Sequence, residues 1–162
     1  MGAGKTAIGK ELARQLGLDF LDVDQELERR TGVDIPLIFE KEGEAGFRRR
    51  ERELIEELTQ REGLVLATGG GAVLDPANRE ALGHRGFVIY LKATVGAQAA
   101  RTGRNRNRPL LQSTDPTAKL TQLFAERAPL YEGLARLTVD TDSGHVKRIA
   151  ERIVEALGKP QT

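Results

Sequence analysis

The sequence predicts an α/β fold in which a parallel sheet is covered by helices on both faces. Three observations carry that prediction. The apolar runs Leu64-Val65-Leu66-Ala67 and Phe87-Val88-Ile89-Tyr90-Leu91 read as strands buried on two faces. Segments with helical periodicity alternate with such runs, as in βαβ units. Asp22-Val23-Asp24, Gly69-Gly70-Gly71 and Asp140 all fall at the carboxyl ends of strands, where sites in parallel sheets lie.

Taken in order, Ile8, Leu12 and Leu16 recur at helical spacing after Gly4-Lys5-Thr6, and Gly17 supplies a stop, which predicts a helix over 5–16. Phe20-Leu21 is a short strand before Asp22-Val23-Asp24, and a charged helix follows it to about Gly32. Pro36 fits the first turn of another short helix. Phe47, Leu54, Ile55 and Leu58 form an apolar stripe on a long charged helix over 44–61. After each of the two apolar strands comes a helix, one opened by Asp75-Pro76 and one by Thr94. Residues 103–116 carry Arg104, Arg106, Arg108 and two Pro with no periodicity, which predicts a mobile basic loop. A helix over 117–128, a strand at Leu137-Thr138-Val139 and a helix over 143–157 complete the chain. No repeat or linker interrupts it, so residues 1–162 are expected to form a single domain.

Composition narrows the function. The 162 residues, with 39% hydrophobic and 30% charged, describe an ordinary globular chain and exclude collagen-like or low-complexity classes. No apolar run approaches the roughly 20 residues of a membrane helix, and Met1-Gly2-Ala3-Gly4-Lys5-Thr6 has no signal-peptide hydrophobic region. A cytoplasmic protein is expected. The absence of Cys removes disulfides, thiolate zinc sites and thiol nucleophiles, and two isolated histidines leave a hard, oxygen-held ion as the metal to expect. With 25 Lys+Arg against 24 Asp+Glu, bulk charge gives no argument for nucleic acid or a membrane surface.

Five local patterns bear on chemistry. Gly2-Ala3-Gly4-Lys5-Thr6 opening a helix matches the second half of G-x-x-x-x-G-K-[ST], whose backbone N–H groups, lysine and hydroxyl suit phosphate and Mg²⁺; a glycine-rich N-terminus without a ligand is the alternative. Asp22 and Asp24 can serve a metal and a substrate hydroxyl if the strand breaks between them, and an acidic turn capping the next helix is the competing reading. Gly69-Gly70-Gly71 suits a backbone that must approach something closely, against a plain loop. Arg48, Arg49, Arg50 and Arg52 read mostly as solvated or paired with Glu44, Glu51 and Glu53. In the Arg101–Arg108 segment a phosphate-closing lid accounts for Gly, Pro and Arg better than an RNA-binding loop, because no aromatic residue stands there.

With these motifs in place, the sequence resembles the shikimate kinases from Met1 to about residue 157. The resemblance is carried by Met1-Gly-Ala-Gly-Lys-Thr6, Asp22-Val-Asp24, Gly46-Phe-Arg48-Arg-Arg-Glu51, Thr68-Gly-Gly-Gly71, Arg108-Pro-Leu-Leu111 and Arg127-Ala-Pro-Leu-Tyr131. It implies a three-layer αβα P-loop kinase fold and transfer of the ATP γ-phosphoryl group to the 3-hydroxyl of shikimate, on the way to chorismate and aromatic amino acids. ATP and shikimate would be the small-molecule partners and Mg²⁺ the cofactor of a monomer. The resemblance assigns ATP phosphates to Gly2, Ala3, Gly4, Lys5 and Thr6, with Mg²⁺ on Thr6 and, through water, Asp22. Asp24 would orient the shikimate hydroxyl. Arg48 and Arg127 would pair with the shikimate carboxylate, and Gly70 and Gly71 would approach substrate by backbone. Arg101 would flank adenine, and Arg108, on a lid over about 103–116, would reach the transferred phosphate; helices over about 23–61 would form the shikimate-binding part.

The resemblance also places the first P-loop glycine and the family's central first strand ahead of Met1. The expectation is therefore a sheet without its central strand, from an internal Met assigned as the start or from a shortened product, the former favoured. Two alternative functions are a catalytically impaired nucleotide-binding remnant and another small P-loop metabolite kinase such as a gluconate kinase. The second would not be expected to combine Asp-x-Asp, Phe-Arg-x-x-Glu and Thr-Gly-Gly-Gly.

Overall fold

A computed structural model describes residues 4–102 and 115–158. Its elements are α1 (Lys5–Leu16), β1 (Asp19–Asp22), α2 (Val23–Thr31), α3 (Ile35–Leu58), β2 (Leu64–Ala67), a 3-10 turn (Ala72–Leu74), α4 (Pro76–Arg85), β3 (Ile89–Lys92), α5 (Val95–Thr102), α6 (Pro116–Leu134), β4 (Leu137–Asp140) and α7 (Val146–Leu157).

Local chemistry accounts for most boundaries. Gly4 and Gly17, at φ 82° and 68°, bracket α1 in the left-handed conformation that only glycine adopts readily. Asp22, Asp34, Asp75 and Asp115 cap α2, α3, α4 and α6 with side-chain oxygens on first-turn N–H groups. Three of these helices carry Pro in the first turn, where the missing N–H costs nothing.

The strands form two parallel pairs, β1 with β2 and β3 with β4. Among the described residues none pairs with the facing edges of β2 and β3. Two apolar cores flank this division. Val23, Leu27, Phe47, Leu54 and Ile55 build one among α2, α3 and α4, while Ile8, Leu12, Val139, Ile149 and Ile153 build the other among α1, β4 and α7. Between them runs a cavity of about 370 Å³, lined by Ile8 and Leu12 from α1, Val65 and Leu66 from β2, and Ile89 and Leu91 from β3.

The structure corrects several expectations. The strands are not buried on both faces: every residue of β2 except Ala67 is half-buried, and β3 is half-buried up to its exposed end at Lys92, because their facing edges border the cavity. The short helix at Pro36 and the long helix after it are one element, α3, bent at Gly43 (φ 71°, ψ −179°), and it stops at Leu58 rather than Arg61. α6 continues through Pro129 to Leu134 instead of ending near 128, and α7 starts at Val146 rather than 143. The predicted basic loop over 103–116 lies, up to residue 114, outside the described residues, as do Gly2 and Ala3.

Strand edges left beside apolar surface carry backbone N–H and C=O groups, each costing about 1–3 kcal/mol when buried without a partner. Joining an extended apolar segment of about five residues ahead of α1, long enough to seat between β2 and β3 at roughly 3.3 Å per residue, should complete both ladders. Calorimetry is expected to show a sharper transition and a midpoint higher by about 5 °C or more. An identical melt with and without the segment would show that these edges are already satisfied.

Candidate active site

β1 ends at Asp22 and α2 begins at Val23, so the strand breaks between the two aspartates. The capping reading holds, and the break on which the other reading depends is present. Asp22 Oδ1 accepts the N–H groups of Asp24 (2.9 Å) and Gln25 (3.2 Å) and caps α2, while Oδ2 accepts the Thr6 hydroxyl at 3.0 Å. Asp24, carried into the first turn of α2, faces a different neighbourhood. Thr6 stands in the first turn of α1, whose N-cap Gly4 offers no side-chain acceptor and whose first turn holds no acidic residue. The positive end of that helix is thus left for an anion. The hydroxyl and carboxylate of the Thr6–Asp22 pair are hard oxygen donors, a set that fits Mg²⁺ binding with phosphate and water completing the shell. Among the described residues no group of three His, Cys, Asp or Glu forms a cage of its own.

The second half of the site surrounds the glycine triplet leaving β2. None of Gly69, Gly70 and Gly71 has a positive φ, so conformational freedom is not why they are glycine. Close approach is. A Cβ at Gly71 would stand 2.6 Å from Arg48 Cζ, and one at Gly69 would stand 3.1 Å from Glu51 Oε2 and 3.4 Å from Asp24 Oδ1. Arg48 projects from α3, donates to Glu51 Oε1 at 2.9 Å and to Glu44 Oε1 at 3.4 Å, and lies 5.2 Å from the Phe47 ring centroid. Arg127, on α6, is buried at 3% exposure, and its Nε meets no acceptor among the described residues. Two guanidinium groups and the Asp24 and Glu51 carboxylates therefore converge on the triplet.

Of the arginines in the 48–52 run, only Arg48 enters this site. Arg50 pairs with Glu42 at 2.6 Å across the Gly43 bend, and Arg52 reaches Asp75 rather than Glu53. Lys5 is half-buried at the start of α1 and borders the cavity near Thr68 and Gly69. Arg101 sits in a separate corner, where its Nη2 donates to the Thr141 carbonyl at 2.8 Å just past β4. Arg108 lies outside the described residues.

Two participants escaped the sequence reading. Glu51 read as a partner for the nearby arginines, as its bond from Arg48 bears out, but its burial was not read, although Phe47, Glu51, Leu54 and Leu58 follow a single helical stripe that places it inward. It is fully buried. Burial pushes its carboxyl up to about 6, with Arg48 opposing and Asp24 reinforcing the shift. Tyr131 was part of a motif but had no role. Its hydroxyl donates to the Gly70 carbonyl, and its ring rests 5.0 Å from that of Tyr90 on β3.

The raised Glu51 carboxyl has a definite sign in stability. Between pH 4.5 and about 6 the folded chain holds a proton that the unfolded chain has released, so stability from this group falls as pH rises through that window. Glu26, held down at about 2 by Arg29 and Arg30, contributes in the opposite sense below about pH 5.5, and because it does so equally in parent and variant it cancels from their difference. Glu51→Gln removes the titration, and denaturant unfolding should find the variant gaining on the parent by about 2 kcal/mol between pH 4 and 7. A constant difference across that range would contradict the buried, proton-holding state.

Comparison with known proteins bears directly on this geometry. A model of the family described as "Shikimate kinase" matches residues 1–158. The shikimate kinase of Halorhodospira halophila is 58% identical over 161 residues, covering 99% of this chain and 91% of that protein. That of Methylococcus capsulatus is 53% identical, covering 100% of this chain and 90% of its own length. Among solved structures, shikimate kinase from Acinetobacter baumannii in complex with shikimate superposes with a TM-score of 0.95 at 52% identity, over 97% of this chain and 88% of that one. A shikimate kinase from Bacteroides thetaiotaomicron gives 0.89 at 32% identity, over 97% and 93%. Likeness of this extent, in sequence and in backbone together, shows common descent: the chain belongs to the shikimate kinase family.

Proposed function

We propose that this chain is an ATP-dependent phosphotransferase that moves the γ-phosphoryl group of ATP to the 3-hydroxyl of shikimate. The observation that carries the reading is the placement of two differently charged half-sites on either side of the β1–α2 break. Thr6 and Asp22 form an oxygen pair at the positive end of α1, and Asp24 lies beside Gly69 and acts on Glu51, on which Arg48 and Arg127 also act. A substrate with one carboxylate and several hydroxyls matches the second half, and a polyphosphate matches the first.

Phosphoryl transfer asks a protein mainly for alignment and charge neutralisation. Lys5 and the first-turn N–H groups of α1 hold the phosphates, with Gly2, Ala3 and Gly4 shaping the approach. Thr6 and Asp22 would hold Mg²⁺, Asp22 through water, and the ion when bound supplies positive charge against the β- and γ-phosphate oxygens. Asp24 accepts the substrate hydroxyl and orients its oxygen toward the phosphorus. Arg48 and Arg127 grip the carboxylate bidentately, as planar guanidinium groups do. Gly70 and Gly71 let substrate lie against backbone. Arg101, tied to the loop after β4, flanks adenine, and Arg108 meets the transferred phosphate from a closing segment over about 103–116. The enzyme is read as a cytoplasmic monomer acting on small molecules, with no nucleic-acid or membrane partner. Among the described residues no helix is long and apolar enough to cross a membrane.

An assay of ADP release is expected to show turnover that depends on shikimate and not on gluconate or nucleoside monophosphates. Asp24→Asn should keep ATP binding while losing about 100-fold or more in kcat, because the amide cannot accept the proton. Activity within about threefold of the parent would remove Asp24 from that role. Arg48→Ala and Arg127→Ala should each weaken shikimate binding by about 2 kcal/mol with ATP affinity intact, measured by titration calorimetry. Unchanged shikimate affinity in both would reject the carboxylate pocket.

A further inference from the structure

α6 carries Arg127 and Tyr131 one turn apart, so both side chains leave the same face. The Tyr131 hydroxyl stands between two groups. It donates to the carbonyl of Gly70, and the Arg127 guanidinium, one turn back on α6, is near enough to act on its ionisation. Burial keeps this phenol protonated across the working pH range, with Arg127 opposing the shift, so its donor proton is always present. The ring is braced independently by Tyr90 at 5.0 Å.

A planar trans peptide points its C=O and its N–H in opposite directions. Pinning the Gly70 carbonyl toward Tyr131 therefore turns the Gly71 N–H away from α6. Gly71 is the residue against which Arg48 is packed. The phenolic oxygen thus sets the rotation of the Gly70–Gly71 peptide, while its helix carries the Arg127 guanidinium on the same face one turn away.

We propose that Tyr131 is a positioning residue of the carboxylate pocket, coupling Arg127 on α6 to the Gly70–Gly71 peptide so that both present their donors to one substrate anion. The inference rests on the reading of Arg127 as a carboxylate ligand. Tyr131 itself touches no substrate and takes no part in proton transfer.

Tyr131→Phe keeps the ring against Tyr90 and deletes only the hydroxyl. In the full chain it should raise the KM for shikimate by about tenfold, as expected for one lost hydrogen bond to a charged partner, while kcat stays within about twofold. The KM for ATP and the melting midpoint should not move. In an Arg127→Ala background the same change should raise shikimate KM by clearly less than in the parent, leaving only the part carried by the Gly70–Gly71 peptide, since coupled residues are not additive. Full additivity of the two substitutions would overturn the coupling. A Tyr131→Phe variant in which both KM values rise and the melting midpoint falls together would assign Tyr131 to the fold alone and also overturn it. If Arg127→Ala weakens shikimate and Tyr131→Phe does not, the inference about Tyr131 fails while the substrate reading stands. If neither substitution changes shikimate KM, the carboxylate pocket fails and the inference with it.

Discussion

The register of β1 against β2 is the constraint from which the site follows. Asp22 pairs with Ala67, so the two strands end level with each other. Beyond that shared end, one chain turns into α2 with Asp24 in its first turn, and the other runs into Gly69-Gly70-Gly71. The carboxylate and the triplet meet because the strands stop together. A slip of one residue would exchange the faces of β1 and carry Asp22 away from Thr6. The inner core of Val23, Leu27, Leu54 and Ile55 makes such a slip expensive, since it would expose side chains that are now almost fully enclosed.

Much of this was legible from sequence because it is governed by short-range rules. α1 runs over the predicted 5–16, since glycine at both ends leaves little latitude. The strand-to-helix break at Asp22 and the starts at Pro76 and after Thr94 follow from capping chemistry, which neighbours in sequence determine. What escaped depends on tertiary surroundings. The half-burial of β2 and β3 reflects what lies between them, which an apolar run cannot announce. The continuation of α6 through Pro129 reflects packing that offsets a local penalty. Close approach, read for the triplet, is found at Gly69 and Gly71, where the approaching groups are Glu51, Asp24 and Arg48 of the chain itself.

Local electrostatics explain how a chain of net charge +1 can handle anions. Most cations are matched nearby, as in Arg30 with Glu26 and Glu57, or Arg50 with Glu42. Such exposed pairs contribute little to stability. Arg48 and Arg127 differ in being shielded from water, where a charge acts more strongly on an incoming ligand. Glu51 balances this concentration of positive charge between substrates, and its raised carboxyl shows what that burial costs.

The contact of Gly71 with Arg48 bears on how this protein can vary over generations. Alanine is the smallest replacement for glycine, yet even its methyl group would occupy the space of the guanidinium. Relief would require the end of the Arg48 side chain to withdraw, loosening its link to Glu51 and leaving Arg127 as the guanidinium that still acts on that enclosed carboxylate. Gly71 in the loop after β2 is therefore tied to Arg48 and Glu51, one turn apart on α3, as a unit in which a change at one position calls for an adjustment at the others.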